Sequence, residues 1–264
     1  MFELLCGLGF LALFGLSAIG GVALKARLRK EHLSDENMGA VRTMTGFLVT
    51  FAAVLLSLQL SGVRSTSDAA NRTRSTYAAE LAALDQCLRG LGPDLDATRL
   101  RLRQYTAAVI ASTWPGEAVP QVSGMPDPSL MPRQGEDPRL SELMENIGLA
   151  LDTFSPKQPG ASETLTRCRA AYASMLQGRW AVIEDTHRTS VSLYVIIISM
   201  WLALVFFSFG LQVPRGHVAA VALAVGVLAV ASVMFVIVDL IEPYSGFFGV
   251  SSASMREALA DMNR

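Results

Sequence analysis

The sequence predicts an all-α integral membrane protein, with four transmembrane helices and a helical extramembrane bundle inserted between the second and third. Three observations carry that prediction. Mean hydropathy is +0.38, with 51% hydrophobic and only 17% charged residues in a 264-residue chain. The apolar excess is concentrated in four stretches, about 2–24, 43–61, 191–213 and 218–240, each long enough for a hydrocarbon core of ~30 Å at ~1.5 Å per residue. The stretch between the second and third is of soluble composition and keeps helical period. The expected organisation is a transmembrane hairpin over 1–62, a bundle over 63–190 with a flexible loop at 115–138, a second hairpin over 191–250 and a C-terminal tail over 251–264.

The first span, FELLCGLGFLALFGLSAIGGVAL, has Glu3 in front and Lys25, Arg27, Arg29 and Lys30 behind. A cleaved signal peptide has the opposite polarity, so this is a retained helix. Gly15, Ser17, Gly20 and Gly21 let a neighbouring helix approach, with Ser17 and Gly21 at small-xxx-small spacing. The connection 25–42 is short and carries five Lys/Arg. Such loops stay cytoplasmic, which puts both termini and the bundle on the periplasmic side of a bacterial inner membrane.

In the second span, Thr43, Gly46, Thr50, Ala53, Ser57 and Ser61 recur every three or four residues and share one helical face. A small, hydroxyl-bearing stripe either lines a water-filled path or forms a helix–helix seam, the seam being commoner. No acidic or basic ring accompanies the stripe.

The helical stripe continues through Tyr77, Leu81, Leu84 and Leu88 until Gly90, Gly92 and Pro93 break it. A further helix follows, capped by Asp96 or Thr98 and ending near Trp114-Pro115, with Arg99, Arg101 and Arg103 on a solvated face. Residues 115–138 are rich in proline and glycine and read as a mobile loop. Helices over 139–154 and from about Ser162 complete the bundle, the last running without a break into span three. Cys87 and Cys168 lie on its first and last helices, about 22 to 23 residues from Arg64 and Ser190 respectively. Equal heights of roughly 33–35 Å allow a disulfide, the alternative being two buried thiols. Disulfides persist in the periplasm.

Spans three and four form an antiparallel hairpin around Pro214-Arg215-Gly216-His217. The fourth ends on Asp239, then Glu242-Pro243-Tyr244-Ser245-Gly246. A carboxylate in hydrocarbon costs at least ~2.5 kcal/mol on insertion scales, so it is snorkelled, paired or functional. Pro243 ends the helix there. Asp239 is therefore expected where the chain leaves the membrane, paired with an arginine such as Arg64 or Arg188, with Gly246 allowing the turn.

His32, His187 and His217 are far apart, and the Asp239–Glu242 pair lacks a third ligand, so no metal site is expected. No zincin, Walker, GxSxG or dinucleotide fingerprint occurs, and no cofactor or enzymatic activity is expected. A net charge of −1 gives no nucleic-acid footprint.

Three signatures resemble a bacterial membrane family of unknown function named for its likeness to bestrophins. They are GFLVTFAAVLLSLQL, YAAELAALDQCLRGL with LRLRQYTAAVIASTWP, and Asp239-Leu240 followed by Pro243-Tyr244-Ser245-Gly246. Where that family has an acid and a base before the proline, this chain has Ile241 and Glu242, so no fixed ion pair is expected there. The resemblance implies a homo-oligomeric anion channel, by analogy a pentamer, with Thr43, Gly46, Thr50, Ser57 and Ser61 facing the path. It also implies a cytosolic bundle and termini, opposite to the charge reading. The competing reading is a non-conducting interaction or sensory protein that binds a periplasmic or envelope partner through the 115–138 loop.

Overall fold

The computed structural model describes residues 2–29, 34–131, 136–156, 160–187, 193–214, 216–241 and 247–264. Eight α-helices follow in order: α1 (Phe2–Arg27), α2 (Asp35–Gly90), α3 (Asp96–Thr113), α4 (Pro138–Thr153), α5 (Ala161–His187), α6 (Leu193–Gln212), α7 (His217–Ile241) and α8 (Ala253–Met262). No strand occurs among the described residues. Among the described residues four helices, α1, α2, α6 and α7, are long and apolar enough to cross a membrane. The chain divides into two compact units.

The first unit holds Met1–Thr66, Ser190–Glu242 and Gly246–Phe248. Its core is built by Phe14 and Ala18 of α1, Ala52 of α2, Ile198, Leu202 and Phe206 of α6, and Val227, Ala231, Met234 and Ile237 of α7. Helix α1 packs along both α6 and α7. The closest approach is glycine on glycine. A Cβ on Gly21 would overlap the Phe207 carbonyl oxygen and come within 3.0 Å of Gly210 Cα; one on Gly210 would overlap the Ala18 carbonyl oxygen. Of the small residues expected to receive a neighbour, Gly21 is the one in backbone contact, while Gly15 has nothing within 4 Å of its Cβ position. Phe14 stacks on Phe206 with centroids 5.4 Å apart. Lys25 Nζ donates to Val213 O at 2.9 Å, satisfying a carbonyl that the end of α6 leaves orphaned.

The second unit holds Ser67–Thr189, Pro243–Ser245 and Gly249–Arg264. Tyr77, Leu81, Leu84 and Leu88 of α2 form the expected stripe and meet Leu102, Tyr105 and Ile110 of α3, Met144, Ile147 and Leu151 of α4, and Leu165, Cys168 and Met175 of α5. Cys87 and Cys168 are joined, with Cα atoms 5.5 Å apart across 81 residues. The expected merger of α5 with α6 falls on 188–192, outside the described residues.

Four expectations are corrected. Residues 251–264 are not a tail: Met255, Ala258, Leu259 and Met262 of α8 are buried in this core, because their three- and four-residue spacing makes one apolar face. Neither Asp96 nor Thr98 caps α3. A 3-10 turn over Pro93–Leu95 feeds the helix directly and Leu95 holds the cap position. Arg99 is not on a solvated face; its guanidinium donates to Asp85 at 2.9 and 3.1 Å, and Asp85 is 1% exposed. A buried carboxylate needs such a partner. Finally, the 115–138 stretch is held where it is described: Val122 and Met125 pack on the core, and Gln104 donates to Ser123 O at 2.7 Å.

Candidate functional site

In the first unit α2 has three unlike sides. Thr45 and Ala52 are buried and Val41, Leu48, Leu55, Leu56 and Leu60 half-buried, on the side facing the chain's own helices. Gln212 Nε2 donates to Thr45 Oγ1 at 2.8 Å on that side. Met44, Phe47, Phe51, Val54 and Leu58 make a second, exposed side of large apolar groups, as lipid-facing residues are. The third side is the small, polar stripe. Thr43, Gly46, Thr50, Ala53, Ser57 and Ser61 are all exposed, so none of the chain's own helices covers them.

The hydroxyls on this stripe are oriented by the helix. Thr43 donates to Gly39 O at 3.1 Å and Thr50 to Gly46 O at 3.0 Å. Back-bonding of this kind uses the hydroxyl proton and leaves oxygen lone pairs pointing outward. Because α2 runs unbroken from Asp35 to Gly90, the stripe does not stop at Ser61. Arg64 follows one turn later, exposed, and helical spacing sets Asp68 and Arg72 on the same line. The expectation that no charge accompanies the stripe is corrected: along the same unbroken helix Arg64, Asp68 and Arg72 extend its line beyond the apolar window.

Asp239 lies at the end of α7, 1% exposed. Among the described residues its partners are backbone amides: Phe247 N donates to Oδ1 at 3.0 Å and Phe248 N to Oδ2 at 2.9 Å. The carboxylate thus ties the chain leaving α7 back to the helix end, with Phe235 and Phe247 rings 6.0 Å apart beside it. Pro243, Tyr244 and Gly246 lie outside the described residues, as does Arg188. Asp239→Asn replaces one acceptor by a donor facing an N–H. It should cost ~2–3 kcal/mol, the scale of a hydrogen bond to a buried charged group, read as a lower unfolding midpoint. An unchanged midpoint would mean that these two amides do not hold the helix end.

In the second unit the buried basic side chains among the described residues are Arg74 and Arg179, 1% and 6% exposed. The Arg74 guanidinium lies 4.5 Å from the Trp114 ring centroid, a cation–π distance. Arg179 donates to Glu136 and Ser141, both at 3.0 Å. Near them Tyr77 and Tyr105 share a hydrogen bond of 2.6 Å. Burial pushes the Tyr77 phenol well above its ordinary value and raises that of Tyr105, so both stay protonated at neutral pH. The result is a dry cluster of two cations and two neutral phenols, suited to fixing helices in register. Asp85 is the acidic counterpart. It accepts from Arg89 and Arg99, and the same two arginines donate to the last carbonyls of α8, at Asp261 O and Met262 O. The sequence held a signal for Asp85: it directly follows the buried Leu84 on a strongly apolar stripe.

Among the described residues no group of three His, Cys, Asp or Glu side chains could hold a metal ion. A family model, the bestrophin-like domain, matches residues 11–255, nearly the whole chain. No curated protein and no solved structure matches the chain.

Proposed function

The chain belongs to the bestrophin-like family, and from that premise we propose that it is a homo-oligomeric ion channel of a bacterial inner membrane, with α2 lining the path. The observation that carries the reading is the stripe of α2. A spanning helix with Thr43, Thr50, Ser57 and Ser61 exposed on one side and phenylalanines on another is not built for lipid all round. Polar groups at membrane depth face a bundle interior or water. Assembly of several copies with the stripe inward, five by analogy with bestrophins, would supply both. Arg64 would then form a basic ring at one end of the path and favour anions. The hydroxyls of Thr43 and Thr50 would offer acceptor lone pairs and let the ion keep its water.

The second unit would stand in the periplasm. The basic 25–42 connection supports that orientation through the positive-inside rule, and so does the Cys87–Cys168 bond, since disulfides persist in oxidising compartments. A second reading, a non-conducting interaction protein, draws on the internally satisfied hydroxyls of Thr43 and Thr50. These would serve equally in a dry seam between copies.

Planar-bilayer recording of the purified oligomer separates the two. Conduction is expected, with anions preferred, and Arg64→Glu should reverse the preference. Ser57→Leu should cut conductance by roughly tenfold or more, the effect of an added barrier of about 1.4 kcal/mol, without dissociating the oligomer. An intact oligomer that conducts none of several anions and cations overturns the channel.

A further inference from the structure

Within the first unit, α1 and α7 do not close on each other along their whole length. A cavity of about 540 Å³ lies open between them, floored by Gly15, Ala18, Ala220 and Ala224 and walled by Leu11 and Leu223. It exists because the facing side chains are too small to fill it: nothing lies within 4 Å of a Cβ on Gly15. Along α1 it runs from Leu11 to Ala26, ~22 Å at 1.5 Å per residue, which exceeds half of a ~30 Å hydrocarbon core. An acyl chain from one leaflet would fit lengthwise.

The two ends of the groove differ in charge. Toward Leu11 it is wholly apolar, whereas Lys25 lines the other end and Arg27 and Arg29 are exposed just beyond it. Among the described residues no carboxylate lines the groove. Lys25 is held at this mouth by its bond to Val213 O, and an ammonium has three donors, so its capacity is not exhausted. An apolar slot of leaflet length with cations at its interfacial end matches one chemistry. We infer that this groove is a binding site for an anionic phospholipid, with an acyl chain between α1 and α7 and the phosphate at Lys25 and Arg29, which follows the helix end on the same side. The inference holds whether or not the protein conducts.

The test is native mass spectrometry of the whole purified protein exchanged into micelles containing phosphatidylglycerol or phosphatidylcholine of matched acyl chains. Wild type is expected to retain phosphatidylglycerol about tenfold better, a difference of ~1.4 kcal/mol. Gly15→Leu, which places a side chain in the open slot, should lose retention of both lipids. Lys25→Gln with Arg29→Gln should keep chain binding and erase the preference. Equal retention of the two lipids by wild type, no retention of either, or full retention by Gly15→Leu overturns the site. So does a subunit-to-subunit disulfide through Ile19→Cys in a Cys6→Ser background, since Ile19 lines the groove and the occupant would then be a second copy.

Discussion

Gly210→Leu is expected to destroy the packing of the first unit, while Gly15→Leu leaves it intact. The contrast is a matter of what stands opposite. At Gly210 the obstacle is main chain, the carbonyl of Ala18 and the Cα of Gly21 at 3.0 Å, and main chain inside a helix cannot rotate away. The two helices would have to part. Parting would strip Phe14, Ala18 and Phe206, all under 5% exposed, of their contacts. Overpacking at a tolerant core site costs ~1–3 kcal/mol; with backbone opposing backbone at both Gly21 and Gly210 the cost should exceed that range. Fluorescence-detected size exclusion after mild heating should give aggregated Gly210→Leu protein and a monodisperse peak for Gly15→Leu. A monodisperse Gly210→Leu peak with wild-type thermal stability would mean that α1 and α6 do not cross there.

Loss of the Cys87–Cys168 bond should have the next largest effect. The bond closes 81 residues, and in the chain-entropy account a loop of that size contributes about 4–5 kcal/mol, with measured losses of ~2–5 kcal/mol. Cys168 is fully buried, so its serine variant also places a hydroxyl in an apolar site, which is unfavourable. Cys87→Ser, at a half-buried position, isolates the cross-link itself. A ~3 kcal/mol loss would lower the melting temperature by about 6–12 °C in a domain of this size. The same fall should follow reduction of wild type. Unchanged melting, together with two alkylatable thiols in protein prepared without reductant, would remove the bond from the account.

The sequence made the helices legible wherever one physical signal was long. Four apolar windows marked the helices apolar enough to span, and the Tyr77–Leu88 stripe marked the inner face of α2, because burial of one face imposes its period over many turns. Three features stayed hidden for different reasons. Gly210 sits in a run of bulky residues and carries no sign of its partner, since Gly21 is nearly two hundred residues away in the chain. The partners of Asp239 among the described residues are amide N–H groups of Phe247 and Phe248, which every residue but proline possesses. Helix α8 is only ten residues long, short enough to pass for a tail, although Met255, Leu259 and Met262 already gave its spacing. The stripe of α2 was visible as a pattern, but its exposure is a property of the folded chain.

The burial of α8 also bears on how the protein is made. The second unit draws its core from α2, α3, α4 and α5, and then from a helix that leaves the ribosome well after all four. Arg89 and Arg99 both bind Asp85, yet the α8 carbonyls they also bind do not exist until two apolar helices, α6 and α7, have been translated in between. Contacts so distant in sequence form slowly, because a long loop must close before they contribute. During synthesis the apolar groove that receives Met255, Leu259 and Met262 is therefore open to water, or to a chaperone, until α8 has emerged.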